Sequence, residues 1–459
     1  MIPLKKVAKG FLASAFLSAV VACTPSQGPA PAQSNDSLEE NATWLLGVMA
    51  LVRDVHVDGK NSADGRKMTV DALNGVLQGL DPHSRYLTAE EYKAEEESDS
   101  GVFGGVGIEF ALENGLIQVS NTIEGGPSER AGVQSGDLIT HIDGKPVQGM
   151  ESGDISAALR GKPGTNVGVT VSRQGVANSL DIKITRAVIV AKQVKYDVIG
   201  NDIGYVRLTG FNNDKAADEV REAINAIQKR LGNNVRGYVF DLRNNPGGLL
   251  TEAVRIGDHF LDADKVVVKS RGRTDNSNYD LKTGVAGDIT GNKPVIVLIN
   301  EGSASASELV SGALQDHQRA KVLGTQSYGK GSVQSVIELK NGDALVVTTA
   351  LYYTPNGRSV QNVGITPDIL FVPKTPVTPG ETLRREADMP NTLNPAAGSN
   401  RESRSGASCT ALSENTPAQS LPKVLVLRNK KADEMLLCAI DNLRGTSQYT
   451  VTQPLPKGP

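Results

Sequence analysis

The 459-residue sequence is poor in aromatic residues, in cysteine and in net charge. A formal net charge of -3 gives no electrostatic reason to expect nucleic acid as a partner. Aromatic residues make up 4% of the chain, whereas glycine occurs 48 times, so tight turns, strands and contacts between small residues are expected. No apolar run beyond the N-terminal region is long enough to span a bilayer. The length suffices for two or three domains.

Residues 1–22 are typical of a secretory signal. Three early lysines precede the apolar stretch "FLASAFLSAVVA", which is too short for a typical membrane span. The stretch ends in "VVAC", and small residues before Cys23 are typical of a bacterial lipidation signal. We therefore expect a periplasmic protein that is anchored to the membrane as a lipoprotein through Cys23. Plain cleavage after Ala22 is the alternative.

The remaining cysteines, Cys409 and Cys438, have two interpretations. In an oxidising compartment the two thiols could form a disulfide. Alternatively, Cys438 in "MLLCAI" is a small buried apolar residue. The sequence favours neither.

Composition and periodicity divide the chain into segments. Apolar residues at helical spacing come first and indicate a helical unit. Short alternating strands between glycine turns follow and indicate a β-rich unit, and alternating strands and helices then indicate an α/β unit. The fold class is therefore an α/β core, a mixed sheet with flanking helices, with an inserted β-rich domain and small helical units at the two ends. The predicted segments are a flexible tether (23–40), an N-terminal helical region (41–98), the β-rich domain (99–187), the α/β core (188–372), a disordered linker (373–420) and a C-terminal helical segment (421–459).

Three loops of the core follow strand-like apolar runs. They read "DLRNNPGGLL", "NEGSASASEL" and "GTQSYGKGSVQ". Because sites in open α/β sheets form at the carboxyl ends of strands, we expect these loops to be neighbours.

The third loop contains most of a phosphate-binding motif. Gly324, Gly329 and Lys330 match G-x-x-x-x-G-K, but Gly331 stands where a metal-binding serine or threonine is needed. The following "SVQSVIEL" favours a strand, whereas a P-loop leads into a helix. The motif therefore does not indicate a nucleotide site, and a solvated surface lysine is the plain alternative.

Ser305 lies at the predicted strand-to-helix turn of the second loop. Such a turn can expose a nucleophilic hydroxyl. Ser305 and Glu308 also match the S-x-x-E pattern of a helix capping box, and Ser303 and Ser307 compete for either role. Taken alone, the pattern favours the helix cap.

A nucleophilic serine needs a base, and no histidine is well placed. His317 lies at the far end of the presumed helix, roughly 18 Å from Ser305. A lysine can serve when it is neutral, a state that burial favours. Lys330 lies between glycines that allow close approach to a serine, and Gln334 can orient its amine without adding charge.

These motifs together resemble the carboxyl-terminal processing proteases, also called tail-specific proteases. "LDPHSRYL", "DLRNNPGG", "GSASASE", "GALQD" and "GKGSVQ" occur in the order typical of that family, between about residues 43 and 372. The resemblance implies a serine endopeptidase without metal or cofactor that cleaves proteins at or near their C-termini. It assigns Ser305 as nucleophile, Lys330 as base, Gln334 as orienting residue, and the N–H groups of Gly248 and Ala306 as the oxyanion hole.

The β-rich domain resembles a PDZ domain through "FGGVGIEF" and "GPSERAGVQSGDLITHIDG". In such a domain a chain's terminal carboxylate binds backbone N–H groups while the chain pairs with a strand. Arg160 occupies a position at which some family members have a gating contact. The peptide-binding residues implied by the resemblance are Phe103, Gly104, Gly105, Val106, Gly107 and Ile108.

The expected partners are proteins with unstructured C-terminal tails. An adaptor protein and homo-oligomer formation are further expectations from the resemblance. A non-catalytic PDZ scaffold that binds tails without cleaving them is the alternative function, and an intact set of Ser305, Lys330 and Gln334 argues against it.

Overall fold

A computed structural model describes most of the chain from residue 37 onward. The predicted signal of residues 1–22 and the lipidation site Cys23 lie outside the described residues. The described ranges are 37–57, 64–99, 102–113, 115–123, 125–190, 192–284, 287–373, 384–394, 407–409, 433–446 and 450–451.

The chain divides into two compact units, Met1–Met68 and Thr69–Pro459. The first contains helix α1 (Leu38–Val55), whose N-cap Ser37 accepts the N–H of Glu40 through its side chain. The helix therefore begins three residues before the predicted boundary at residue 41, because this cap starts it at Leu38. Among the described helices, none combines the length and hydropathy needed to cross a bilayer.

Helix α2 (Gly65–Leu80) precedes the turn of "LDPHS". The carboxylate of Asp81 accepts the N–H groups of His83 and Ser84, each at 2.9 Å, which fixes this turn. Strand β1 (Arg85–Leu87) and helix α3 (Ala89–Asp99) follow.

The β-rich domain is built on a six-stranded antiparallel sheet in the order β3-β4-β5-β7-β8, with β6 paired to β5. Inward residues alternate along these strands, as in β7, where Val167, Val169 and Val171 are buried. The elements are β3 (Ile108–Glu113), β4 (Leu116–Thr122), α4 (Pro127–Arg130), β5 (Leu138–Ile142), β6 (Lys145–Pro146), α5 (Ser152–Leu159), β7 (Asn166–Ser172) and β8 (Leu180–Thr185). A two-stranded ribbon, β2 (Val102–Gly105) with β9 (Ala187–Val190), flanks the domain in the chain.

The α/β core contains an eight-stranded sheet in the order β10-β11-β12-β15-β16-β19-β20-β21. The pairs from β11 to β20 are parallel, and the two outermost pairs are antiparallel. Every residue of β12 and β15 is buried, which is why their sequences are continuous apolar runs. The strands are β10 (Val194–Ile199), β11 (Ile203–Leu208), β12 (Gly237–Asp241), β15 (Val295–Ile299), β16 (Lys321–Gly324), β19 (Ile369–Phe371), β20 (Ala407–Cys409) and β21 (Thr450–Val451).

Helices α6 (Ala216–Leu231), α7 (Leu250–Gly257) and α8 (Ala306–Asp316) contribute their apolar residues to the main core cluster of this sheet. Helix α6 buries residues at helical spacing and ends at Gly232, as the sequence predicts.

A second, five-stranded antiparallel sheet contains β13 (Val266–Gly272), β14 (Tyr279–Lys282), β17 (Ser332–Glu338) and β18 (Ala344–Tyr353), together with β1. The strand-like stretch after Lys330 is thus β17, as predicted.

The predicted disordered linker of residues 373–420 is wrong in two places. Residues 384–394 hydrogen-bond to the core, and β20 extends the central sheet. Their polar composition predicted disorder, but hydrogen bonds to the core hold residues 384–394 in place. Helix α9 (Glu434–Arg444) closes the opposite face of the sheet. A disulfide joins Cys409 to Cys438, so the pairing interpretation of these cysteines is the correct one.

Candidate active site

Three loops leave the carboxyl ends of three neighbouring parallel strands. We name them the glycine loop (residues 243–248, after β12), the serine loop (300–305, after β15) and the lysine loop (325–331, after β16). Because β12, β15 and β16 are adjacent in the sheet, the loops meet at one edge. The expectation that they are neighbours is confirmed.

Ser305 occupies a strained turn at the start of α8. Its φ of 52° and ψ of -116° are rare for a residue with a side chain, and such strain is typical of nucleophile turns. The Glu308 half of the predicted capping box forms, since Glu308 Oε2 accepts the N–H of Ser305 at 2.8 Å. The Ser305 side chain makes no capping hydrogen bond. Its hydroxyl is therefore available for chemistry.

The two other serines of "SASAS", Ser303 in the serine loop and Ser307 in the first turn of α8, have structural partners. Ser303 Oγ donates to the carbonyl of Leu242 at 2.8 Å, and Ser307 Oγ donates to the carbonyl of Asn245 at 2.9 Å. Both bonds fasten the segment around Ser305 to the chain that follows β12. Only Ser305 of the three combines a strained backbone with a hydroxyl that makes no hydrogen bond within the described residues.

Glu308 connects the serine loop to the lysine loop. Its side chain is fully buried. Oε1 accepts Ser327 Oγ at 2.5 Å and the N–H of Gly329 at 2.7 Å, while Oε2 accepts the N–H groups of Ser305 and Lys330 at 2.8 and 3.0 Å. Burial raises the pKa of Glu308 to about 7, although these four hydrogen bonds favour the carboxylate. One carboxyl group thus fixes the backbones of Ser305 and Lys330 relative to each other.

The glycine loop lies against Ser305. A Cβ at Gly247 would lie 2.9 Å from both Ser305 Cβ and the nitrogen of Ala306, so only glycine fits there. The N–H of Gly247 donates to Asn245 Oδ1 at 2.9 Å. In contrast, the N–H groups of Gly248 and Ala306 make no hydrogen bond to any described residue. They are the donors that remain for a ligand beside Ser305.

The lysine loop is shaped by close backbone packing. The N–H of Gly331 donates to Gln361 Oε1 at 2.9 Å, and a Cβ on Gly331 would lie 2.3 Å from the nitrogen of Gln361. Lys330 itself is half-buried. Gly331 therefore allows the lysine loop to pack closely against the backbone of Gln361. A strand follows at Ser332, whereas a P-loop leads into a helix.

Gln334 lies on β17, near the end of the lysine loop. Its Nε2 donates to Ser332 Oγ at 3.0 Å and to Thr348 Oγ1 at 3.1 Å. Thr348 Oγ1 in turn donates to Asp81 Oδ1 at 2.9 Å. The amide nitrogen of Gln334 is thus held by the "LDPHS" turn through Thr348, and the amide oxygen is the atom left to meet a lysine amine.

The histidines outside the first unit have other partners. The Nε2 atoms of His259 and His317 lie 2.8 Å from the carbonyls of Ala217 and Val266. The Nε2 of His83 lies 2.8 Å from Glu386 Oε1. These contacts agree with the inference that Ser305 has no histidine as its base.

Sequence reasoning missed the support behind the lysine loop. Glu386, from the expected linker, is fully buried and accepts Gln361 Nε2 at 3.0 Å. Its N–H donates to the carbonyl of Tyr328 at 3.2 Å. In the sequence, only the S-x-x-E spacing pointed to a role for Glu308. No local pattern indicates that Glu386 is buried behind the lysine loop.

Five of the six predicted peptide-binding residues of the β-rich domain line a cleft of about 990 Å³, together with Ser156 and Leu159 of α5. The N–H groups of Val106 and Gly107 make no hydrogen bond within the described chain, as a carboxylate site requires. Gly104 does not line the cleft: its carbonyl accepts the N–H of Gly161 at 3.0 Å, and a Cβ there would lie 2.1 Å from the Gly161 oxygen. Gly104 thus packs closely against Gly161, and its part in peptide binding stays a prediction.

Arg160 is one of the residues that line this cleft. Its guanidinium carbon is 4.3 Å from the centre of the Phe103 ring, a cation–π contact. Within the described residues, its contacts are with this domain and not with the three loops.

Comparisons with known proteins match the α/β core and the β-rich domain to two separate families. Residues 202–371 match the family described as peptidase family S41, and residues 118–173 match the PDZ domain family. A carboxy-terminal-processing protease of Bartonella bacilliformis is 50% identical over 310 residues, 67% of this chain and 70% of that protein. A probable CtpA-like serine protease of Staphylococcus aureus is 39% identical over 343 residues, 73% of this chain and 65% of that protein.

Among solved structures, the photosystem II D1 C-terminal processing protease is 28% identical. The match covers 72% of this chain and 92% of that protein, with a TM-score of 0.43.

Proposed function

The chain belongs to peptidase family S41 as a PDZ-containing, C-terminal processing serine peptidase, and we propose that Ser305 and Lys330 form its catalytic dyad. The observation that carries the proposal is the shared hydrogen bonding of both backbones to Glu308. It holds a strained serine and a lysine at one edge of the sheet, where the neighbouring Ser303 and Ser307 have structural partners.

In the proposed reaction, Ser305 Oγ attacks the carbonyl carbon of the scissile peptide bond. Neutral Lys330 accepts the hydroxyl proton and then gives it to the leaving amine as the C–N bond breaks. Water attacks the resulting acyl-serine ester, with Lys330 again accepting a proton, and regenerates the Ser305 hydroxyl. The amide oxygen of Gln334 orients the amine of Lys330 without adding a charge that would keep it protonated.

The N–H groups of Gly248 and Ala306 would stabilise the oxyanion. Their lack of partners within the described residues supports this role, because preorganised donors cost no rearrangement when the negative charge develops. The N–H of Gly247 is already bound to Asn245 and is not part of the proposal.

The PDZ domain would receive the substrate's C-terminal tail. The tail would pair with β3, and its carboxylate would bind the N–H groups of Val106 and Gly107. Arg160 would gate the cleft from its place over Phe103. We further propose a periplasmic location with a lipid anchor at Cys23, and an adaptor protein or a second copy of the chain as partner.

Cleavage of an unstructured protein by the purified enzyme tests the dyad. The wild type should release C-terminal fragments, and Ser305→Ala should release none while still binding the substrate's tail. Retained cleavage by Ser305→Ala would refute the assignment, and tail binding without cleavage by the wild type would favour a PDZ scaffold. The Ser305→Ala protein, expressed in its native envelope and purified, would also trap substrates for identification.

A further inference from the structure

The N-terminus of α9 contacts the start of the glycine loop. Its N-cap residue Asp433 is buried, and Asp433 Oδ1 accepts the N–H of Leu436 at 3.1 Å. The same carboxylate receives two parallel bonds from Arg243: Nη1 to Oδ1 at 2.8 Å and Nη2 to Oδ2 at 2.7 Å. This bidentate geometry fixes the orientation of the guanidinium plane as well as its position.

Arg243 lies between two carboxylates. On its other side, Nε donates to Asp241 Oδ1 at 2.9 Å and Nη2 donates to Asp241 Oδ2 at 2.6 Å. The backbone N–H of Arg243 also donates to Asp241 Oδ1 at 3.0 Å. A buried cation with fixed side-chain and backbone contacts sets the direction in which the chain leaves β12.

The chain that leaves β12 leads to the proposed oxyanion donor. Asn244 follows with a φ of 55°, and its N–H donates to Asn300 Oδ1 at 2.8 Å. Asn245 then accepts the N–H of Ala304 through its carbonyl at 3.0 Å. A displacement of Arg243 would therefore pass along a short, hydrogen-bonded path to Gly248 and to the serine loop.

Helix α9 is itself firmly placed. Cys438 is bonded to Cys409 on β20, so one covalent link ties the helix to the sheet. Leu436, Ala439 and Ile440 belong to the core cluster that contains residues of β12 and β15, the strands before the glycine and serine loops. Asp433 thus comes from a rigid element.

We propose that Asp433 is a positioning residue of the peptidase, which acts through Arg243 to hold Gly248 in place for oxyanion stabilisation. The C-terminal helix, outside the peptidase match of residues 202–371, then belongs to the catalytic apparatus. This inference rests on the proposed function of Ser305, Lys330 and Gly248.

The test compares Asp433→Asn with Glu434→Gln in the full-length, disulfide-bonded protein. Asparagine is a good N-cap and keeps the helix start, but it loses the charge and one acceptor oxygen for Arg243. We expect kcat for an unstructured substrate to fall about tenfold, because a displaced oxyanion donor stabilises the transition state less well. KM and tail-peptide affinity should be unchanged. Glu434→Gln removes a charge from the same helix end and should keep the wild-type kcat.

A double-mutant cycle with Arg243→Lys tests the path. If Asp433 acts through Arg243, adding Asp433→Asn to Arg243→Lys should lower kcat little further. Two results would overturn the inference: effects of the two substitutions on kcat that are fully additive, or a kcat per folded molecule in Asp433→Asn that equals the wild-type value. The second result would do so even if Asp433→Asn melted at a lower temperature. The same assay distinguishes failure of the proposed function from failure of this inference. A wild type that does not cleave the substrate refutes both, whereas equal cleavage rates of the wild type and Asp433→Asn refute this inference alone.

Discussion

The backbone N–H groups of Ser305 and Lys330 donate to the same oxygen atom, Oε2 of Glu308, over 2.8 and 3.0 Å. The relative position of the two residues is therefore set through a third side chain that is buried and touches both loops. This arrangement makes Glu308 a target for mutation as informative as the dyad itself.

Glu308→Gln should reduce kcat by about a hundredfold or more and lower the free energy of unfolding by about 1–3 kcal/mol. The amide NH₂ of glutamine would face two of the four donors that the carboxylate accepts, and the loops would separate. Peptide cleavage and urea unfolding measure the two effects. Glu301→Gln, the same change in the serine loop, should alter neither quantity, and wild-type kcat in Glu308→Gln would contradict the role given to Glu308.

Stability and activity should respond to pH in opposite directions around Glu308. Its pKa in the folded protein is about 7, above the ordinary 4.5. Between these values the folded protein keeps a proton that the unfolded chain has released. The free energy of unfolding of the wild type, relative to that of Glu308→Gln, should thus fall as pH rises from about 4.5 to about 7 and then level off.

The catalytic rate should rise over the upper part of the same range. Only the ionised carboxyl group accepts all four hydrogen bonds without an interfering proton, so kcat should increase as the pH passes about 7. A kcat that is flat between pH 6 and 9 would contradict both this effect and a lysine base. Urea unfolding of Ser305→Ala across the same pH range detects the Glu308 effect independently of catalysis.

Lys330→Arg and Lys330→Met should both lose at least about a thousandfold in kcat. Arginine keeps the positive charge but cannot release its proton, and methionine has no basic group. Binding of a tail peptide to the PDZ domain should be unchanged in both variants. Lys321→Arg, an exposed change on β16, is the matched control, and activity in Lys330→Arg would show that another group is the base.

Gly331→Ala should inactivate the enzyme and destabilise it by about 1–3 kcal/mol, because the added Cβ would lie 2.3 Å from the nitrogen of Gln361. The lysine loop would have to move away from its support. Gly79→Ala, in α2, meets nothing within 4 Å and should be neutral or stabilising by up to about 1 kcal/mol. Thermal unfolding and cleavage rates distinguish the pair, and a fully active Gly331→Ala would show that the loop tolerates displacement.

Arg160→Ala should weaken the binding of a peptide with a free C-terminal carboxylate by a few-fold, since the cation–π contact that orders the rim of the cleft is worth about 0.5–1 kcal/mol. Fluorescence anisotropy with free and amidated peptides measures the effect. Lys162→Ala, an exposed change nearby, is the control. Unchanged affinity in Arg160→Ala would remove Arg160 from the proposed recognition of tails.

The features that the sequence predicted correctly depend on residues close together in the chain. Continuous apolar runs indicated β12 and β15, alternation indicated the PDZ strands, and strand order placed three loops at one edge. The strand after Lys330 and the turn at Ser305 also follow from local residue types.

Only the tertiary structure decided how these local pieces support one another. The four donors on Glu308, the buried Glu386 from an expected linker and the hold of Asp433 on Arg243 join residues far apart in sequence. Spacing cannot reveal such contacts, because a hydrogen bond requires two groups within about 3 Å and in line. Packing of the sheet, the helices and the disulfide sets those distances. The sequence therefore offered candidate residues for the site, and the hydrogen bonds that position them came only from the tertiary structure.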